Sequence, residues 1–94
     1  MGKVNVLVVE DESIVAKDIQ LSLKRLGYKV LGISNSGEGA IKSARDLSPD
    51  IIIMDIMLKG EINGIEASEQ IRKEQKKIIP FRLMLFLTLI CIYL

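Results

Sequence analysis

Pro49-Asp50-Ile51-Ile52-Ile53-Met54-Asp55 is the stretch on which the fold turns. Four large apolar residues in a row, closed by a carboxylate, read as a parallel strand covered on both faces, since a strand with one wet face would alternate. Ser48-Pro49-Asp50 ends whatever precedes it. Upstream lies a helix with Ala40, Ile41, Ala44 and Leu47 on one stripe, and Ser34-Asn35-Ser36-Gly37 serves as its turn and cap. Before that, residues 28–33 read as another strand. The first strand is the β-branched run Val4, Val6, Leu7, Val8 and Val9, which stops at Glu10-Asp11-Glu12. From Ser13 the spacing becomes helical, with Val15, Ile19, Leu23 and Leu26 on one stripe and Gly27 placed as a residue of positive φ past the helix end. Downstream of Asp55, Lys59-Gly60-Glu61-Ile62-Asn63-Gly64 makes a loop. A third helix runs from 65 to about 77, its cations Arg72, Lys73, Lys76 and Lys77 suiting the negative end of the helix dipole.

Strands alternating with helices at this spacing imply right-handed βαβ units, hence an α/β fold. The expectation is a flavodoxin-like doubly wound parallel sheet, incomplete, with three strand–helix units and a possible fourth strand. The chain has 94 residues, enough for a single domain 1–94. Residues 1–77 carry the pattern, and 78–94 form an atypical apolar tail in which, from Leu83 onward, only Thr88 is not apolar. That run of twelve falls short of the roughly 20 residues a membrane helix needs, so no membrane is expected.

Composition narrows the function classes. Thirteen Lys/Arg against twelve Asp/Glu give a net charge of +1, no field for direct capture of nucleic acid or an anionic membrane. The basic end of the third helix is a solvated surface. With Cys91 alone there is no internal disulfide or thiolate zinc cage, and without histidine the chemistry falls to carboxylates. No leader is recognisable near Met1, and a cytoplasmic location is the default expectation.

In an open parallel sheet, ligands bind beyond the carboxyl ends of the strands. Glu10, Asp11 and Asp55 all occupy such ends. Taken singly, Glu10-Asp11-Glu12 is equally well an acidic approach to a helix N-terminus, and Asp55 a turn residue. If the first and third strands are neighbours, as in the order 2-1-3-4-5, the three carboxylates converge and repel each other unless a cation joins them. Hard oxygen donors without His or Cys favour Mg2+.

Val8-Val9-Glu10-Asp11-Glu12, Leu26-Gly27-Tyr28, the stretch Pro49 to Asp55 and Asn63-Gly64-Ile65-Glu66 together resemble the receiver domains of two-component response regulators. The resemblance covers residues 4 to about 77. It implies that Asp55 is the phosphoacceptor, that Asp11 binds Mg2+ directly and Glu10 through water, and that the Met57 backbone carbonyl is a further ligand, with Asp55 itself at the ion. The implied partner is a sensor histidine kinase or phosphotransfer protein, and the implied role is that of a signalling module rather than an enzyme. An aspartyl-phosphate hydrolase of the haloacid-dehalogenase type would carry a second Asp where Met57 stands.

The sequence also departs from the family. Position 59 is Lys where the family often has Pro, and Gly64 lies nine residues after Asp55 rather than eight. Thr88 is the candidate for the hydroxyl that contacts the phosphoryl group, and no lysine follows Lys77. A frame-shifted or prematurely ended reading frame and a natural variant ending both account for such a tail, and the coding DNA separates them. The alternative function is a truncated, non-phosphorylatable remnant acting only by interaction or not at all. Self-association through the apolar tail or a sheet edge is expected unless the tail packs as a replacement strand.

Overall fold

The computed structural model describes residues 4–75, and the backbone of 83–87. In chain order the elements are β1 (Asn5–Val9), α1 (Ser13–Arg25), β2 (Lys29–Ser34), α2 (Gly37–Leu47), β3 (Ile51–Asp55), α3 (Gly64–Gln75) and β4 (Leu83–Leu87). The strands form one sheet in the order β2-β1-β3-β4, and every pairing is parallel. This is the flavodoxin-like arrangement of a parallel sheet, and the possible fourth strand is drawn from the apolar tail. Thr88 follows β4 directly in sequence and lies outside the described residues, as do Cys91, Lys76 and Lys77.

Chain reversals sit where the sequence places them. Gly27 has φ 95° and completes a Schellman motif, with Tyr28 N–H donating to the Leu23 carbonyl and Gly27 N–H to that of Lys24, both at 3.0 Å. Ser36 caps α2, its hydroxyl accepting from Gly39 N–H at 3.0 Å. Asn63 and Glu66 form a capping box at α3: the Asn63 side chain accepts from Glu66 N–H at 2.9 Å, and Glu66 accepts from Asn63 N–H at 3.0 Å. The α1 stripe is shorter than expected. Val15, Ile19 and Leu23 are half-buried, but Leu26 is 74% exposed, because it belongs to the turn that sends the chain back to β2.

One face of the sheet carries the main core. Leu7 and Val9 of β1 and Ile52 and Met54 of β3 pack with Ala40, Ala44, Ala67 and Ile71 of α2 and α3, joined by Leu58. Alanines at the contact let these helices lie close to the sheet, and the strand period of two puts Val6 and Val8 on the other face with α1. Arg45 of α2 and Glu74 of α3 add a two-pronged ion pair at 2.9 and 3.0 Å. At the edge, β2 carries a bulge: Val6 pairs with Val30 but Leu7 with Gly32, leaving Leu31 unopposed. Gly32, inside the strand, is the residue type that such an irregularity favours.

Two glycines allow the loop after β3 to lie against its neighbours. A Cβ on Gly64 would collide with the backbone carbonyl of Asp55, and one on Gly37 with the side chain of Ile62. At Gly32, by contrast, a Cβ would meet only Leu47, at 4.0 Å. Gly64→Ala is therefore expected to destabilise by about 1–3 kcal/mol, and Gly32→Ala to be neutral or stabilising by less than about 1 kcal/mol. Urea unfolding of the two variants measures the difference, and equal midpoints would contradict the close approach at Gly64.

Candidate functional site

β1 and β3 run side by side with Val9 opposite Met54. The next residue on each chain is an acid, Glu10 on one and Asp55 on the other, and Asp11 follows Glu10. One carboxylate oxygen from each of Glu10, Asp11 and Asp55 lies within 4.8 Å of those of the other two. Glu10 is buried, with 5% of its surface exposed, while Asp11 and Asp55 are half-buried. The sequence expectation that these three residues converge is met in the geometry.

Each acid accepts from a backbone amide. Glu12 N–H donates to Glu10 Oε2 at 3.0 Å, Met57 N–H to Asp55 Oδ1 at 2.9 Å, and Lys59 N–H to Asp11 Oδ2 at 3.1 Å. Three fixed donors partly offset the repulsion among three negative groups. Met57 thus touches the cluster through its amide, its side chain being 73% exposed. The Lys59 contact is new relative to the sequence reading. A backbone donor leaves no mark in a sequence beyond the residue not being proline, so only that substitution hinted at it. Beside the cluster, a cleft of about 530 Å³ opens between α1 and the β2–α2 connection, reaching Glu10 and Asp11 and lined by Lys17, Gln20, Ser34 and Asn35 among others.

The electrostatics follow from this packing. Burial pushes the Glu10 carboxyl up to about 7, against the Glu12 amide that favours its charged form; a hydrogen bond with Asp11 and the charges of Asp55 and Asp11 raise it further. Burial also acts to raise Asp11. The Lys59 amide, the hydrogen bond with Glu10, its own amide and the Lys59 charge outweigh that and hold Asp11 below the ordinary carboxylate range. Of these two neighbouring acids, Glu10 is the one pushed toward its protonated form. An all-oxygen set of this spacing and charge fits a small hard divalent cation, which would stabilise all three charges at once.

The raised Glu10 value makes a pH prediction. A carboxyl that ionises later in the folded protein than in the unfolded one favours folding below its unfolded value and loses that contribution as pH rises through the folded one. With divalent ions chelated, stability is expected to fall between about pH 4.5 and 7, by at most about 3 kcal/mol. Asp11 acts oppositely at lower pH, where its contribution is lost as pH falls through its lowered value. Urea unfolding across this range should show the slope in the wild type and its loss in Glu10→Gln; a flat wild-type profile would contradict the assignment.

Comparison with known proteins gives the same family from sequence and from structure. The family model of the response regulator receiver domain matches residues 6–84. The chain is 39% identical over 79 residues to the alkaline phosphatase synthesis transcriptional regulatory protein PhoP of Bacillus subtilis, covering 84% of this chain and 32% of that protein. It is 37% identical over 73 residues to the chemotaxis protein CheY of Thermotoga maritima, covering 78% of this chain and 59% of that one. The signal receiver domain of a modulated diguanylate cyclase from Desulfovibrio desulfuricans superposes with a TM-score of 0.79 at 36% identity, over 90% of this chain and 64% of that one. The chain thus spans about a third of the length of the first of these relatives. With four parallel strands in receiver order and a family match over most of its length, the chain belongs to the receiver domains of two-component response regulators.

Proposed function

We propose that this chain is a phosphoacceptor module: Asp55 takes a phosphoryl group from a phosphohistidine on a sensor kinase or phosphotransfer protein, with Mg2+ held by Glu10, Asp11, Asp55 and the Met57 carbonyl. The observation that carries the reading is the convergence of three carboxylates, within 4.8 Å of one another, at the carboxyl ends of two adjacent strands. An ionised Asp55 oxygen would attack phosphorus in line, forming a P–O bond as the P–N bond of the donor breaks. Met57 N–H, donating to Oδ1, restricts the rotation of the attacking carboxylate. Burial pushes the Glu10 carboxyl up to about 7, so its ionisation would bear on how strongly the site attracts a cation. When bound, Mg2+ would neutralise charge on the phosphoryl oxygens. The acyl phosphate would then bias the domain between two conformations and so change a binding surface. Receiver domains are signalling modules, and the consequence is read by a partner.

Thr88, next in sequence after β4, is the residue we propose for contact with the phosphoryl group. Incubation with a small phosphodonor and Mg2+ followed by intact-mass measurement should show one phosphoryl group, absent in Asp55→Asn and after chelation of Mg2+. Thr88→Ala is expected to shorten the lifetime of the product. A folded wild-type protein that gains no phosphoryl group would instead favour the interaction-only remnant.

No helix among the described residues is long and apolar enough to cross a membrane. Among those residues β4 is the last strand on its side of the sheet, and its sequence, Leu83-Met84-Leu85-Phe86-Leu87, carries no charge. An uncharged edge is a template for pairing with another strand, and we propose self-association there. Sedimentation at micromolar concentration should show species larger than the monomer, diminished in Met84→Lys; a purely monomeric wild type would exclude it.

A further inference from the structure

We infer that the backbone amide of Lys59 is a positioning group for Asp11, holding its carboxylate at the cation site. The inference rests on the proposed Mg2+ reading of the Glu10, Asp11 and Asp55 cluster and assigns a component of that site which no side chain supplies. Lys59 N–H reaches Asp11 Oδ2 at 3.1 Å across 48 residues of sequence, joining the loop after β3 to the connection after β1.

The need for such a donor follows from charge. Three carboxylates crowded together repel, and the least buried of them gain most by swinging toward solvent. Glu10 is held by burial and by the Glu12 amide, and Asp55 by its place at the end of β3 and the Met57 amide. Asp11 is half-buried and stands beyond the end of β1. The Lys59 amide opposes its outward swing.

The donor is itself held firmly. Leu58, the preceding residue, is 6% exposed and belongs to the main core. Ile62 packs on the core and against Gly37, and Gly64 N–H donates to the Ile56 carbonyl at 3.0 Å. The amide is therefore presented by a fixed loop. A carboxylate has about four acceptor positions, so an amide on one oxygen coexists with a cation on the group. Hydrogen bonds that orient a ligating carboxylate typically contribute 10- to 100-fold in metal affinity. Any residue but proline provides this donor, so the side chain of Lys59 is incidental to the role.

Calorimetric titration of the full chain with Mg2+ tests the assignment through Lys59→Pro, which deletes the N–H, and Lys59→Ala, which keeps it. Lys59→Pro is expected to bind about tenfold more weakly, and Lys59→Ala to differ from wild type by less than about threefold, as befits one exposed charge. Hydrogen exchange supplies a second measurement that needs no proline variant: the Lys59 amide should be protected in the wild type and exchange faster in Asp11→Ala, with the Met57 amide unchanged. Wild-type affinity in Lys59→Pro, or a Lys59 amide indifferent to Asp11→Ala, would overturn the inference and leave the Mg2+ reading intact. A wild type that takes up no Mg2+ would overturn both.

Discussion

The parallel pairing of β1 with β3 is the constraint on which the rest of this structure depends. Its register sets Val9 opposite Met54, so the first residue past each partner is an acid. Neither acidic segment is unusual alone. Side by side, they produce a concentration of negative charge that the fold has to accommodate; burial chiefly, and those neighbouring charges in addition, push the Glu10 carboxyl up. The pairing is secured from both ends. Asn5 and Asp50 exchange hydrogen bonds at the opposite end of the strands, Asp50 N–H donating to the Asn5 carbonyl and Asn5 N–H to Asp50 Oδ2, each at 2.9 Å.

Accommodation comes mainly from backbone, the Lys59 charge adding a smaller contribution. The three acids receive the amides of Glu12, Met57 and Lys59, two of which belong to the loop after β3. That loop lies close because glycines stand at the two points of contact, Gly64 against Asp55 and Gly37 against Ile62, and because the Asn63–Glu66 capping box ends it sharply at α3. Fixed dipoles of this kind lower the energy of charge without filling the site, which leaves the carboxylates available to a cation. Packing and chemistry thus share the same residues: Leu58 anchors the core while the next amide serves Asp11.

Much of this was legible in the chain. Ile51-Ile52-Ile53-Met54 could hardly be anything but a central strand, and Ile52 and Met54 are indeed fully buried. Gly27 takes its positive φ, and Asn63-Gly64-Ile65-Glu66 opens α3. Other features were hidden for definite reasons. Leu26 fits the helical stripe by period but falls in the turn, where periodicity has no meaning. Leu58 and Ile62 sit in a loop by every local signal, yet both join or pack against the core. The bulge at Leu31 depends on how β2 fits its neighbour.

By itself, then, the sequence determined the elements, their order and the identity of the acids, because propensity, period and capping act over a few residues and are written locally. Tertiary structure alone decided that β1 lies beside β3, that burial pushes the Glu10 carboxyl up to about 7, and that the Lys59 amide meets Asp11 across 48 residues. Those outcomes depend on distances between segments remote in the chain and on water excluded from between them. Hydrogen bonding and electrostatics respond to position and burial, and neither is a property of a residue taken alone.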